Sequence, residues 1–156
     1  MASEQEQCAD TSEDEGPAIG DLQAICQRSQ IDFEIDFFER ILSRDPNHLD
    51  VLINLGNLFS QKGCHRRALQ VDLRLAQLRP DCPRVMYNLA CSHAVLGHVR
   101  EALDALDAAV DRGYDDLEYL LHDPDLAFVR GHLRFRSILA KLEAACAAAD
   151  GGHCLD

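Results

Sequence analysis

The sequence predicts an all-α fold: an array of about three stacked helix-turn-helix units, closed at its end by C-terminal capping helices. Three observations predict it. Asn54, Leu55, Gly63, Ala68 and Leu69 recur as Asn88, Leu89, Gly97, Ala102 and Leu103, each 34 residues on, and Pro46 and Pro80 keep the same interval. A fixed period of this length marks supersecondary units that bury their apolar faces against one another. Apolar residues fall at helical spacing along most of the chain, and no segment alternates with the period of two expected of a strand. Single Gly and Pro residues punctuate the helical stretches at turn positions.

Taken in order, residues 1–16 read as a disordered acidic arm of acids, Ser, Thr and Gln ending in Gly16-Pro17, because such a segment buries too little apolar surface to offset its ordering entropy. Helical spacing begins near Ala18 with Leu22, Ile25 and Cys26. A second helix near Asp32 carries Ile35, Phe38, Ile41 and Leu42, and Asp45-Pro46 stops it, since the residue before Pro is pushed out of helical geometry. A third carries Val51, Leu52, Leu55, Leu58 and Phe59 and ends at Gly63, which can take the left-handed conformation of a helix terminus. A fourth, His65 to Leu78, turns Ala68, Leu69, Val71, Leu75 and Ala76 inward. A fifth has Val85, Met86, Leu89, Ala90 and Leu96, and a sixth Ala102, Leu103, Leu106, Ala109 and Val110. Beyond Gly113 the period weakens. Leu117, Leu120 and Leu121 suggest a short helix, and Asp123-Pro124 reads as a helix start with Asp as cap and Pro in the first turn. A last helix holds Leu133, Phe135, Ile138, Leu139, Leu142 and Cys146. The expected organisation is an arm over 1–16, repeats over 17–116 (units 15–48, 49–82 and 83–116), capping helices over 117–148 and a flexible tail over 149–156.

The charge is −12, and residues 1–15 hold half of the excess as six acids with no base. An acidic chain repels phosphate backbones, which argues against nucleic acid as a partner. No apolar run approaches the roughly 18 residues needed to span a bilayer, and the polar, acidic start is unlike a secretory leader. Seven cysteines without a CxxC, in a chain of this kind, predict free thiols and a cytoplasmic location.

Paired helices of 34 residues with Leu55-Gly56 early, Gly63 mid-unit, Ala68 in the second helix and Pro80 near the end resemble the tetratricopeptide repeat. Leu52 and Phe59 fit the same pattern, as do Met86, Leu89, Ala90, Gly97, Ala102, Leu106 and Ala109 one unit on. The departures are Glu34 where a small Ala is usual, Asp72 where a large apolar residue is usual, and Tyr114 where Pro is usual. The segment Asp123 to Leu139 looks like the end piece that follows such repeats in many bacterial proteins; Arg130, Arg134, Arg136 and Lys141 supply a polar outer surface to it.

The resemblance implies a right-handed superhelix whose first helices line a concave groove for a protein or peptide segment. It places Asp50, Ile53, Asn54, Asn57, Ser60 and Gln61 on that face, followed by Arg84, Tyr87, Asn88, Cys91, Ala94 and Val95. An Asn amide offers both donor and acceptor, so Asn54 and Asn88, one repeat apart, suit the backbone of an extended peptide; equally, they suit bonds to neighbouring helices or water. With Ile53 and Tyr87 where a carboxylate-gripping Lys would stand, the expected partner carries apolar anchors and one acid for Arg84. Replacing Asn54 and Asn88 should then weaken binding more than a surface change such as Arg112→Ala.

Chemistry is sparse. No phosphate-cradling loop and no His-Glu-x-x-His occurs. Cys64-His65 and Cys91-x-His93 fall short of four converging zinc ligands. Cys64 beside His65 and Arg66 is the candidate for a lowered thiol pKa. Ser92 and His93 are adjacent on one helix and diverge. The sequence therefore predicts no cofactor, no metal and no enzyme activity, but an adaptor, co-chaperone or assembly subunit. The alternatives are a self-assembling scaffold, which would form homo-oligomers, or a metal- or thiol-dependent protein.

Overall fold

The structure is a computed structural model, and it describes residues 29–150. Within them the chain is helical throughout: α1 Gln30–Arg44, α2 Leu49–Gln61, α3 His65–Leu78, α4 Pro83–Val95, α5 Val99–Asp111, α6 Leu117–His122, a 3-10 turn Pro124–Leu126, and α7 Leu133–Asp150. The expected first helix near Ala18 and the acidic arm lie outside the described residues, as does the end of the tail; α7 runs on through Asp150.

Local chemistry explains the boundaries. Ser29 caps α1 by accepting from the Asp32 backbone N–H, and Pro83 opens α4 in the first helical turn. Gly63 (φ 78°) and Gly97 (φ 76°) end α2 and α4 in the left-handed region. Each lets the next residue bond back five positions: Cys64 N–H donates to Phe59 O at 2.8 Å, and His98 N–H to His93 O at 2.9 Å. The 34-residue spacing of the glycines is thus a spacing of identical helix terminations.

The helices pair as α2 with α3 and α4 with α5, and α3 packs on α4 to join the units. Small residues set the approach: Ala68, Ala90 and Ala102 are all but fully buried. A Cβ added to Gly56 would lie 3.4 Å from both Val71 and Asp72 of α3. Two apolar clusters result. One gathers Ile35, Leu52, Leu55, Phe59, Val71 and Leu75 from α1 to α3; the other gathers Leu89, Leu103, Leu106, Leu120, Leu126, Phe135 and Leu142. Ala76 packs against both and bridges them.

The capping segment differs from expectation in two details. Asp123-Pro124 starts a 3-10 turn rather than an α-helix, with Asp123 accepting from the Asp125 backbone N–H at 2.9 Å. Leu133, expected inward, is 76% exposed because it is the first residue of α7, ahead of the buried stripe Phe135, Ile138 and Leu142. Arg134 pairs with Asp104 and Asp107, and Lys141 with Asp107 and Asp111, so the cap is also held to an acidic stripe on α5. Exposed pairs of this kind each add only about 0–1 kcal/mol, so apolar burial dominates the docking.

One departure from the repeat pattern finds its cause, and two expectations about single residues are corrected. Tyr114 is buried and stacks on Tyr87 with ring centroids 4.3 Å apart. Arg112 is not an idle surface residue: its Nε donates to Pro80 O at 2.6 Å and a terminal nitrogen donates to Ala108 O at 2.8 Å, tying one unit's turn to the next. Cys64, held at the α2–α3 turn, is disulfide-bonded, so the expectation of free thiols fails there; Cys82, Cys91 and Cys146 are free.

Replacing Gly97 by Ala puts a Cβ on a left-handed backbone without meeting any neighbour. Urea unfolding should therefore report a loss of about 1–2 kcal/mol from backbone strain alone.

Candidate functional site

The C-terminal half of α2 and one face of α4 from Tyr87 onward wall a hollow of about 340 Å³. Asn57, Ser60 and Gln61 line it from α2, and Tyr87, Asn88, Cys91, Ser92 and Val95 from α4. His65 and Asp72 reach it from α3, and Tyr119, Asp123 and Asp125 from the capping segment. These α2 and α4 positions recur every three or four residues, so each set forms one stripe on its helix.

Of the residues expected on the groove, Asn57, Gln61, Tyr87, Asn88 and Cys91 come together in this hollow, whereas Asp50, Ile53, Asn54 and Arg84 do not line it. The last four lie nearer the N-terminal ends of α2 and α4. The Asn54 amide is used locally, its Nδ2 donating to Asp50 O at 2.7 Å on its own helix. Asn57 and Asn88 are exposed, with no side-chain hydrogen bond among the described residues. Ala94, also expected on the face, is buried in the core.

Sequence reasoning missed the acidic character of the site. Asp72 is buried, 7% exposed. It projects from α3 between Gly56 of α2 and Ser92 of α4, whose Oγ donates to Asp72 Oδ2. Burial pushes its carboxyl up to about 6, only partly offset by the Ser92 hydrogen bond. Asp123 is buried as well. Its Oδ2 accepts the Tyr87 hydroxyl at 2.7 Å and the Cys91 thiol at 3.6 Å, and its Oδ1 caps the 3-10 turn. Asp125 is raised by burial and then by the like charge of Asp123. The departure of Asp72 from the repeat pattern was the one available signal; Asp123 and Asp125 come from a segment whose fold against α4 no repeat pattern specifies.

The Cys91 thiol and the Asp123 and Asp125 carboxylates lie within 4.8 Å of one another, a grouping that spacing alone did not suggest. Both Asp123 oxygens are already engaged by protein donors, and burial followed by the neighbouring carboxylates drives the Cys91 thiol strongly upward, away from the thiolate a soft metal requires. The arrangement is that of a hydrogen-bonded network fastening cap to groove. Tyr87 and Tyr114 are likewise pushed strongly upward, burial being the main cause, so Tyr87 remains a donor to Asp123. Ser92 and His93 turn to different partners, Asp72 and His98.

A sign follows for Asp72. Its folded value lies above the unfolded one of 3.8, so between pH 4 and 6 the folded chain holds a proton that the unfolded chain has released. Its contribution therefore becomes less favourable as pH rises through that window. Asp72→Asn should raise unfolding stability by about 1–3 kcal/mol at pH 7.5, an advantage that fades below pH 4, as measured by urea titration at several pH values.

No family model matches the chain. A chloroplastic protein of Arabidopsis thaliana is 30% identical over 91 residues, or 56% of this chain. The match covers 27% of that protein, so the chain spans about a quarter of this relative's length. Among solved structures, MamA 41-end from Desulfovibrio magneticus RS-1 superposes with a TM-score of 0.61 at 17% identity, covering 85% of this chain and 73% of that one. A crystal structure of MamA gives 0.59 at 18% identity, covering 88% and 78%. At these identities the likeness is one of fold. No helix among the described residues is long and apolar enough to cross a membrane. The chain has the fold of the tetratricopeptide-type helical repeat proteins.

Proposed function

We propose that the chain is a non-catalytic interaction module, an adaptor, co-chaperone or assembly subunit, that holds an extended segment of a partner protein in the hollow between α2 and α4. One observation carries this reading: Asn57 and Asn88, on adjacent first helices, face the same hollow with their amides uncommitted. An amide can give and take a hydrogen bond at once, which is what a peptide backbone offers in return. The negative charge of the hollow and of the chain as a whole favours protein over nucleic acid.

Peptides selected by display on the intact chain provide the test. Asn57→Ala with Asn88→Ala should lower their affinity at least fivefold, roughly the worth of one net hydrogen bond. Arg136→Ala, on the exposed side of the cap, should leave it within about twofold. Equal losses would remove the groove from consideration. Fluorescence anisotropy reads both.

Self-assembly is the second reading, favoured by Phe128 (72% exposed) and Leu133 (76% exposed) on the cap. It expects a light-scattering mass that climbs with concentration and drops back in Phe128→Ser with Leu133→Ser.

A further inference from the structure

The hollow is mixed, with Tyr87, Val95 and Tyr119 among its walls, but its charge is one-sided. Among the described residues three carboxylates line it, from Asp72, Asp123 and Asp125, and no Lys or Arg does; His65 is the one basic residue of these on its wall. Asp123 is consumed by bonds within the protein. Asp72 is not. Its Oδ2 takes the Ser92 hydroxyl, while its Oδ1 has no donor among the described residues and no cation beside it. Opposite that oxygen stands Gly56, which has no side chain to cover it. That oxygen opens onto the hollow, and a recessed carboxylate so placed is well matched by a donor of opposite charge. At the mouth, Tyr119 is 56% exposed and presents an aromatic ring beside Asp125. A ring face next to carboxylates is a setting that favours an organic cation.

We infer that the hollow receives the side chain of a lysine or arginine from the bound segment, its cationic head at Asp72 and its stem passing Asp125 and Tyr119, while Asn57 and Asn88 hold the flanking backbone. The inference rests on the groove reading above and adds the chemistry of the partner. The size agrees: about 340 Å³ lies at the small end of ligand pockets and accepts a side chain rather than a folded surface. A long flexible stem with a charged tip suits a carboxylate recessed behind a polar rim. The protein's own acidic stretch over residues 1–15 is a poor occupant, since it carries the same sign as the hollow. A bare metal ion is a poor occupant too. Asp72 stands apart from the cluster of Cys91, Asp123 and Asp125, so the idle oxygen and the clustered ligands do not converge on one point.

The displayed peptides test this on the full chain. The expected result is that sequences enriched on the protein share a lysine or arginine at one position. Replacing that residue by norleucine should lower affinity for the native chain at least tenfold, and by less than about threefold for Asp72→Asn and Asp125→Asn. Tyr119→Ala should weaken the basic peptide more than its norleucine counterpart. Asp72→Asn is expected to fold at least as stably as the native chain, so lost affinity together with retained cooperative unfolding cannot be assigned to damage. Peptides that depend on Asn57 and Asn88 but share no basic residue would overturn the inference and leave the groove reading intact. So would a basic residue whose replacement costs the same in the Asp72 and Asp125 variants as in the native chain. If no enriched peptide depends on Asn57 and Asn88, both readings fall.

Discussion

The structure depends on how closely its paired helices approach. Gly56 lets α2 come against Val71 and Asp72 of α3, and Ala90 and Ala102 lie buried between α4 and α5. Interaxial distance is set by the side chains at the contact, and small ones bring two helices near enough for the larger residues on either side to interlock. With few aromatics and no Trp in the chain, this close approach is what makes Leu, Ala and Val a sufficient core. The repeat is the physical unit because the spacing of these small residues, of the left-handed glycines and of the intervening apolar stripe must all agree.

Stacking the units leaves the first helices side by side, and the hollow follows from that placement. Its chemistry comes from elsewhere. Asp72 rises from a second helix into the gap between two first helices, and the far wall is supplied by α6 and the 3-10 turn. The link between wall and groove is the Tyr87 hydroxyl on buried Asp123, backed by Tyr114 stacked beneath Tyr87 and by Arg130 donating to Asp123 O at 2.7 Å. A hydrogen bond to a buried charged acceptor is among the stronger contacts available to a protein, so this junction positions the cap beyond what apolar burial would fix.

What could be read in advance divides along the same line. The limits of α3, His65 to Leu78, were legible because Gly63 and Pro80 punctuate both sides, and the inward residues of α2 to α5 followed from helical spacing. The hollow was legible only in part. Asn57, Asn88 and Cys91 were placed in it by repeat register, which fixes a face but not how far along the helix a cavity extends. Asp50, Ile53 and Arg84 were expected on the same face and yet do not line the hollow, one wall of which comes from the capping segment. Asp123 is more than 30 residues from its partners Tyr87 and Cys91, and no local pattern predicts a bond of that range. The 3-10 turn was missed for a related reason: capping and proline signals mark a helical start without specifying how many turns follow.

The junction at Asp123 also bears on how such a domain can be cut and recombined. Repeat arrays are commonly treated as interchangeable bricks with a removable lid. Here the lid is a side of the vessel: shortening the chain after the second full unit would strip away Tyr119, Asp123 and Asp125 along with the cover for Leu103 and Leu106. Grafting these units onto a foreign terminus would yield a well-covered stack with a differently charged, open-sided cleft. Any transplant that is to keep the cleft must carry residues 117–130 with it.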